Sequence, residues 1–454
     1  MQKQLIQKYN IPGPRYTSYP TVPFWDKEGI SIQDWTSSFQ KSFIKSNEKE
    51  GISLYIHLPF CESLCTFCAC HKIITKKHEK EEDYIQTLLK EWALYVALFP
   101  QKAIIKELHL GGGTPTFFSS KNLKILIDGI LELSCKHENH EFSFEGHPGN
   151  TTKEQLQTLF DLGFSRVSFG VQDYNEKVQK AIHRNQSFKQ VEQVTLWARE
   201  IGYKSISHDL IFGLPFQTKE NVIHTINKTK ELQPDRISFY SYAHVPWIKG
   251  LGQRGYDEKD LPKDEIKREL YEIGKELFAQ MGYNEIGMDH FSLKTDSLYK
   301  ATQENTLHRN FMGYTANKTL LMVGLGMSSI SDSWYGFAQN AKDIKEYTSL
   351  VNDGILPIFK GHLLSKEDLS IRQHILNIMC SFKTTWNNEE SYIKSLAESL
   401  ALLEEMQNDG LVDINEDGLS IPSNARPFIR NICMAFDKHL IHAKPQTKLF
   451  SMTI

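Results

Sequence analysis

Strand-like and helix-like segments alternate through the first half of the chain. The strand-like segments are apolar on both faces and lie at 52–60, 106–112, 140–146, 166–172, 205–214 and 235–243. Helical spacing occurs between them at 80–99, 121–134, 152–163, 188–201 and 219–232. This alternation is typical of a parallel sheet covered by helices, and it predicts an α/β protein with a partial parallel (β/α) barrel. In such barrels, catalytic groups lie on the loops that follow the carboxyl ends of the strands.

Three regions follow from the composition along the chain. Residues 1–50 carry several prolines and glycines and are expected to form an N-terminal arm with one short helix near 32–45. Residues 51–365 are expected to form the barrel and an extension, with a further helix near 263–281 and a strand at 284–291. Residues 366–454 are expected to be mainly helical, with a hairpin at 411–422 around a Glu-Asp-Gly turn.

Charge and hydropathy exclude several classes of function. The net charge is -3 and the pI is near 6.6, which does not support a nucleic-acid-binding surface, even though a helix followed by a hairpin resembles a winged helix. A packing or lid role is the preferred interpretation of that region. The N-terminal segment is polar, and the chain has no apolar run of about 18 residues, so we expect a cytoplasmic protein without a membrane span.

Four of the seven cysteines are crowded into ten residues. Cys61, Cys65 and Cys68 have C-x3-C-x2-C spacing directly after the first strand, and Cys70 follows. Three thiolates on one loop can hold three corners of a cubane iron–sulfur cluster and leave the fourth iron open to a ligand, whereas ferredoxin-like carriers close the cluster with four cysteines. The alternative is zinc held by these cysteines and His71, but no second half-site is visible. Cys135, Cys380 and Cys433 are expected to be buried apolar residues.

Cys70 has three possible roles: a fourth ligand, a reactive thiol or a bystander. Ligation is awkward if Cys68, two residues earlier, already binds the cluster. A catalytic or substrate-side role is therefore preferred.

The cysteine loop, with Phe67 before its last ligand, resembles the radical-SAM superfamily. A larger set of motifs resembles one of its families, the oxygen-independent coproporphyrinogen III oxidases, from about Tyr16 to the C-terminus. These motifs are YIHLPFC (55–61), CAC (68–70), GGGTPT (111–116), RVSFGVQDYN (166–175), DLIFGLPFQT (209–218), SYAHVP (241–246), GMDHF (287–291), LHRNFMGYT (307–315) and IRNICMAFD (429–437).

The resemblance implies a set of cofactor sites. It implies a [4Fe-4S] cluster on Cys61, Cys65 and Cys68, and two molecules of S-adenosylmethionine (SAM). The matching SAM-binding positions are Tyr55, Phe67, Gly112, Gly113, Thr114, Glu145, Gln172, Arg184, Asp209, Ala243 and Ile330. His308, Arg309 and Asn310, and Arg15 and Tyr16 of the arm, are further candidates for the substrate side or for covering the site.

The resemblance also implies a reaction. A reduced cluster would cleave SAM, and the resulting radical would start the conversion of two propionates of coproporphyrinogen III to vinyl groups. A flavodoxin- or ferredoxin-like reductant and a monomeric state are expected. The alternatives are a haem-binding chaperone or a haem-processing enzyme of the same superfamily. Relatives of those kinds usually lack the extra cysteine, and the chaperones also lack the arm that contains RYTSYP (15–20).

Overall fold

A twelve-stranded sheet organises most of the chain in the computed structural model, which describes residues 2–26, 29–246, 253, 256–386, 390–443, 445 and 449–453. The elements up to the last barrel strand are α1 (Gln2–Tyr9), α2 (Ile32–Ser46), β1 (Ile52–Leu58), β2 (Phe60–Cys61), β3 (Ile73–Ile74), α3 (Lys80–Val96), β4 (Ala103–Gly112), α4 (Ser120–Glu132), β5 (Ser134–Gly146), α5 (Lys153–Asp161), β6 (Phe164–Gln172), α6 (Glu176–Ala181), α7 (Phe188–Ile201), β7 (Ser205–Phe212), α8 (Lys219–Leu232) and β8 (Arg236–Ser241).

The second half contains shorter strands and the C-terminal helices. Its elements are α9 (Asp264–Gln280), β9 (Asn284–Ile286), β10 (His290–Ser292), α10 (Ser297–Gln303), β11 (His308–Asn310), β12 (Gly313–Thr315), β13 (Met322–Leu325), β14 (Ile330–Asp332), β15 (Gly336–Asn340), α11 (Ile344–Asn352), β16 (Ile358–Leu363), α12 (Lys366–Ser381), β17 (Lys383–Thr385), α13 (Glu390–Asn408), β18 (Asp413–Ile414), β19 (Gly418–Ser420), α14 (Ile429–Met434) and α15 (Lys438–Ala443).

The strand order confirms the predicted mixed α/β fold. The sheet runs β16-β15-β14-β13-β1-β4-β5-β6-β7-β8-β10-β9, and the six strands predicted from the alternation lie in it as neighbours in chain order. Every pairing from β13 to β8 is parallel, whereas the outer pairings are antiparallel. The sheet has two ends, at β16 and β9, and is therefore open. The carboxyl ends of the parallel strands meet along one edge, where the site lies.

Two features of the sheet differ from the sequence prediction. β13 is a seventh parallel strand, paired with β1 in a register that sets Met322 against Ser53, and its four residues are too short to show a periodic pattern. The single strand predicted at 284–291 is wrong, because β9 and β10 form an antiparallel hairpin. Gly287, with φ of +72°, lies between them in a conformation that disfavours a continuous strand.

The helix boundaries follow local capping chemistry. Ser187 and Gln190 form a capping box at the start of α7, and Gly202 ends that helix in the left-handed region with φ of +109°. Thr218 and Asn221 form the corresponding box at the start of α8. These two helices have the residue ranges that the sequence predicts. None of the described helices is both long and apolar enough to cross a bilayer.

The first fifty residues divide between two hydrophobic cores. Trp35, Phe39 and Phe43 of α2 are fully buried in the core of the large sheet. Tyr9 and Tyr16 instead pack into the C-terminal core, formed by α12, α13, α14 and a three-stranded sheet of order β17-β19-β18. β18 and β19 are the antiparallel hairpin predicted at 411–422, and β17 adds a strand that the sequence does not predict.

Candidate functional site

A cavity of about 590 Å³ opens at the carboxyl edge of the parallel strands. Most of the residues expected at the site from the sequence line this single cavity. They are Cys61, Cys65, Phe67, Cys68, Cys70, Gly112, Gly113, Thr114, Glu145, Gln172, Arg184 and Asp209. They come from the cysteine loop and from the ends of β4, β5, β6 and β7, which are distant in sequence and adjacent in the sheet.

The cysteine loop is held in place by hydrogen bonds at its ends and in its middle. It leaves β2 and returns through β3, which pairs with β2 in parallel, so that the loop's two ends lie side by side. The backbone N–H of Thr66 donates to the carbonyl of Ile182, and its hydroxyl donates to the carbonyl of Ala181, both at 3.1 Å. The Nζ of Lys72 donates to the carbonyl oxygens of Cys68 and Cys70 at 3.1 and 3.3 Å. A loop fixed at both ends and in its middle presents its thiols in one arrangement.

Each thiol of the three-cysteine motif has a polar neighbour. The hydroxyl of Thr114 donates to the Sγ of Cys61 at 3.3 Å, and the Nη1 of Arg184 lies 3.6 Å from the Sγ of Cys65. Burial raises the pKa of Cys61 to about 11, against the hydrogen bond from Thr114, which lowers it. A hydrogen bond from the thiol of Cys70 lowers the pKa of Cys68 to about 6, and the same bond raises the pKa of Cys70 well above its usual range.

The spacing of the thiols suits a cluster better than a single ion. Four sulfur ligands at 2.3 Å from one zinc would lie roughly 3.8 Å from each other. Among the described residues, the one group of three or more metal-ligating atoms within 4.8 Å of one another lies elsewhere in the protein and contains no cysteine. The three sulfurs are therefore more widely spread than a zinc site requires. A polynuclear iron–sulfur cluster, whose irons each take one thiolate, fits this donor set.

The glycine-rich turn after β4 lies tightly against the end of β1. The N–H groups of Gly113 and Thr114 donate to the carbonyls of Leu58 and Phe60 at 2.8 and 3.0 Å. A Cβ on Gly113 would lie 2.5 Å from the carbonyl carbon of Pro59, which a folded chain does not allow. Gly112 has φ of +107°, in the region that favours glycine. The turn therefore offers bare backbone to the cavity, as the seat of a small amino acid moiety requires.

Charged side chains face the same space. Glu145 is half exposed, and its Oε1 lies 3.5 Å from the Nε2 of His109. Asp209 accepts a hydrogen bond of 2.7 Å from the hydroxyl of Ser168, and burial raises the pKa of this carboxyl group. Arg184 is buried and donates to the carbonyl of Gly170 at 2.7 Å. A ligand here would meet two carboxylates and one guanidinium.

Three expected residues do not line the cavity. Tyr55 lies beneath it in β1, where its hydroxyl bonds to the Nδ1 of His57 at 3.1 Å. Ala243 follows β8, and its carbonyl accepts from the Nε2 of Gln253 at 2.9 Å. Ile330 begins β14 in the antiparallel part of the sheet. The structure therefore separates these three from the remaining candidates.

Other cavity residues were missed by the sequence reasoning. Tyr240 lies near the carboxyl end of β8, Lys72 follows the cysteine cluster, and Ser168 lies in the middle of β6. The strand end and the motif were the available signals for Tyr240 and Lys72, whereas Ser168 had none. Of the outlying cysteines, Cys380 and Cys433 are buried as expected, but Cys135 is exposed because it lies near the start of β5, at the opposite edge of the sheet from the site.

The candidate residues for the substrate side are buried, and those in the N-terminal arm form hydrogen bonds to other parts of the protein. His308, Arg309 and Asn310 are buried in β11 and do not line the cavity that holds the cysteines. Arg15 donates to the carbonyl of Ser241 at 2.9 Å, and Tyr16 donates to Asp437 at 3.0 Å. The arm is thus bonded both to the end of β8 and to the C-terminal region.

Known proteins match this chain over its whole length. Residues 55–229 match the family model described as Radical SAM superfamily. Proteins named oxygen-independent coproporphyrinogen III oxidase from Helicobacter pylori (strain J99) and Escherichia coli (strain K12) are 39% and 37% identical to it, and each alignment covers 99% of this chain and 98% of the relative. The chain belongs to the oxygen-independent coproporphyrinogen III oxidase family. The solved structure of the Escherichia coli coproporphyrinogen III oxidase, described as a radical SAM enzyme, superposes with a TM-score of 0.87 at 36% identity, covering 94% of this chain and 98% of that one.

Membership in the oxygen-independent coproporphyrinogen III oxidase family establishes the class of chemistry. The protein is a radical-SAM oxidoreductase, and its cofactors are a [4Fe-4S] cluster and SAM. The three thiols, the glycine turn and the charged groups of the cavity fit those two cofactors. The predicted fold class is confirmed by the same superposition.

Proposed function

We infer that this oxidase acts on coproporphyrinogen III and converts two of its propionate side chains to vinyl groups, which gives protoporphyrinogen IX in haem biosynthesis. One observation carries the inference. Three thiols, a bare glycine turn and a buried arginine share one cavity in a chain that aligns almost end to end with enzymes of that name. The alternatives of a haem chaperone or a haem-processing enzyme have no such support.

The reaction removes one carboxyl group and one hydrogen in each round. A propionate, –CH2–CH2–COO⁻, becomes –CH=CH2 with release of CO2, one proton and two electrons. When bound, the cluster and SAM together supply reductive cleavage of the sulfonium and removal of a hydrogen atom from the propionate β-carbon. The remaining electron requires an acceptor, and a flavodoxin- or ferredoxin-like protein is proposed as the reductant for the cluster.

Each residue of the cavity is assigned a role by its chemistry. Cys61, Cys65 and Cys68 would hold three irons and leave the fourth open to SAM. The backbone at 112–114 would face the amino and carboxylate groups of the methionine moiety. Arg184 would pair with a carboxylate, whereas Asp209 would accept hydrogen bonds from ribose hydroxyls.

The remaining expected contacts are also proposals. Phe67, Glu145 and Gln172 are proposed to contact SAM from the cavity wall, and Tyr55 from beneath it. Ala243 and Ile330, which lie outside the cavity lining, are proposed to contact a second molecule of SAM. Equilibrium dialysis of labelled SAM against the reconstituted enzyme measures the number bound. One molecule per chain would contradict the second site.

Cys70 is proposed as the catalytic thiol. It lines the cavity and is exposed, so the thiol is accessible at the rim next to the three proposed cluster ligands. Cys70→Ala should keep the cluster and lose product formation. Loss of iron in that variant would instead make Cys70 a ligand.

The decisive experiment is an anaerobic assay of the reconstituted enzyme with a reductant, SAM and coproporphyrinogen III. The expected result is formation of vinyl groups together with methionine. Cys65→Ala should lose both cluster and turnover, whereas Cys135→Ala, with its thiol outside the cavity, should keep both. SAM cleavage without vinyl formation would reject the substrate and leave the chemical class intact.

The cellular setting is inferred more coarsely. We propose a monomer in the cytoplasm, because the substrate and the reductant are expected there. Sedimentation of the reconstituted enzyme tests the monomer, and cell fractionation tests the compartment.

A further inference from the structure

A second group of metal-ligating side chains lies away from the cavity. His362 is in the edge strand β16, Asp368 is in the first turn of α12, and His439 is in α15. One ligand atom of each lies within 4.8 Å of the others. None of the three lines the cavity that holds the cysteines. Two imidazoles and a carboxylate from three separate elements therefore converge on one point.

His362 is oriented as a metal-binding histidine usually is. Only 6% of its surface is exposed, and its Nδ1 lies 2.9 Å from the carboxylate of Asp26 in the arm. That bond leaves Nε2 as the other ring nitrogen, and this buried atom has no hydrogen-bond partner among the residues that the structure describes. A buried polar atom without a partner costs free energy, which a bound cation would offset. A carboxylate behind the imidazole also fixes the tautomer that binds metal.

Asp368 and His439 complete the group. Oδ2 of Asp368 accepts hydrogen bonds from the hydroxyl and the N–H of Ser365, at 2.7 and 2.9 Å, so that carboxylate is held in place. Its other oxygen, Oδ1, lies 2.8 Å from the Nε2 of His439. An oxygen and a nitrogen this close can share one cation as neighbouring ligands.

The surroundings of the group favour a cation. A carboxylate contacts each imidazole: Asp26 lies 2.9 Å from the Nδ1 of His362, and Asp368 lies 2.8 Å from the Nε2 of His439. Lys438, next to His439, is paired with Glu367, and Lys360, two residues before His362, donates to the carbonyl of Val22 at 2.9 Å. The local field is negative although the whole chain is close to neutral.

We propose that His362, Asp368 and His439 bind one divalent first-row transition cation of the Zn²⁺ type. Two nitrogens and one carboxylate oxygen suit zinc or iron(II), whereas Mg²⁺ and Ca²⁺ take oxygen ligands. The cation would join the edge of the sheet to α12 and α15, and through Asp26 to the arm. The fourth position would take water, since the side chain of His439 is 32% exposed. The site is structural and separate from the cluster.

The test uses the holoenzyme with its cluster in place, so that the cysteine loop is already occupied. The protein is dialysed anaerobically against micromolar ZnCl2, and zinc and iron are counted per chain. We expect one zinc per chain with no loss of iron. His439→Gln should weaken zinc binding at least tenfold. His442→Gln, three residues further along α15 and bonded to Glu398, should bind zinc like the wild type.

Two further variants keep the result interpretable. Asp26→Asn removes the carboxylate behind His362 and should weaken zinc binding by about 10- to 100-fold. Zinc should raise the unfolding temperature of the wild type and of His442→Gln, but not that of His439→Gln or His362→Gln. If the wild type takes up no zinc, the three side chains form only hydrogen bonds between histidine and carboxylate, and the proposal is overturned. Equal uptake in the His439→Gln variant, or zinc that displaces iron, would overturn it as well.

Discussion

Glu91 of α3 is a carboxyl group without access to water that accepts three hydrogen bonds. The donors are the N–H of Gly326 at 2.8 Å, the Nδ2 of Asn340 at 2.6 Å and the hydroxyl of Tyr347 at 2.6 Å. Burial raises the pKa of Glu91 to about 7, and the three bonds oppose that rise. The side chain therefore joins α3 to the residue after β13, to the end of β15 and to α11, and its protonation depends on pH.

Glu91→Gln should change how stability depends on pH. The folded pKa of about 7 lies above the ordinary value of 4.5, so the stabilisation from this group is full below pH 4.5 and is lost as the pH rises through 7. The loss is on the order of 3 kcal/mol. The unfolding temperature of the wild type, measured anaerobically, should fall relative to that of Glu91→Gln between about pH 5 and pH 8. A constant difference between the two would contradict the raised pKa.

Gly113→Ala should separate SAM binding from cluster binding. The added Cβ meets the backbone of Pro59, which cannot move without shifting the start of the cysteine loop. We expect SAM affinity and turnover to fall more than tenfold while most of the iron is kept. Gly149→Ala is the matched control, because it lines the same cavity and its Cβ would meet side chains and no backbone, His147 at 3.2 Å and Gln190 at 3.6 Å. Equal losses in both variants would argue against a tight seat at Gly113.

At the scale of residues, the sequence predicts the chemical role of a side chain more reliably than its position in the fold. Cys61, Cys65 and Cys68 are recognisable because their spacing on one loop is itself the geometry that a cluster needs. Glu145 is placed because it lies at the end of a strand, whereas Asp209 lies in the middle of β7. Tyr240 was missed since an aromatic residue at a strand end has no distinguishing spacing, and only the neighbouring strands decide that it lines the cavity.

At the scale of elements, one side chain ties two helices together. Glu81 in the first turn of α3 is buried. Its Oε2 accepts hydrogen bonds from the N–H of Ser119 and from the Nδ2 of Asn122 at the start of α4, both at 2.8 Å. The Nδ1 of His78 bonds to its other oxygen at 2.6 Å. Two helices that flank the cysteine loop and the glycine turn thus begin at a fixed separation.

Glu81→Ala should lower the unfolding temperature. The substitution leaves buried donors unsatisfied, which costs about 1–3 kcal/mol. The neighbouring Glu82→Ala, at an exposed position of the same turn, should have an effect within about 0.5 kcal/mol. Thermal unfolding of both anaerobic proteins provides the comparison, and equal stabilities would show that water replaces the lost carboxylate.

Elements with local signals were predicted, and elements defined by distant partners were not. α7 and α8 match their predicted ranges because capping boxes lie in the adjacent residues. β13 was missed because its four residues become a strand only by pairing with β1, which lies about 270 residues earlier in the chain. The third strand of the small sheet, β17, is likewise defined by its pairing with β19.

At the scale of the whole molecule, the two ends of the chain meet around Arg430. Its buried guanidinium donates to the carbonyls of Gly13 and Pro14 in the arm and to those of Met452 and Thr453 near the C-terminus. Burial lowers the pKa of Arg430 to about 9. A single side chain therefore satisfies backbone carbonyls of both terminal segments.

Arg430→Lys should release the arm while the barrel stays folded. A lysine has one donor group in place of the planar guanidinium fork, so it cannot reach all of these carbonyls. Limited proteolysis under anaerobic conditions should cut the region 2–20 at least several-fold faster in this variant. Arg199→Lys, on the outside of the barrel, is the control and should be cut like the wild type. Unchanged cleavage in Arg430→Lys would show that the apolar contacts of Tyr9 and Tyr16 suffice.

The burial of the arm in the C-terminal core also sets an order of events during synthesis. The hydrogen bond from Tyr16 to Asp437 joins residues 421 positions apart, and the ribosome makes the N-terminal end first. The packing of Tyr16 against the C-terminal region can therefore form only when almost the entire polypeptide has been translated. The cysteine loop and the six parallel strands from β1 to β8 are translated about two hundred residues earlier, so the residues proposed to hold the cluster are made long before the segment that secures the arm.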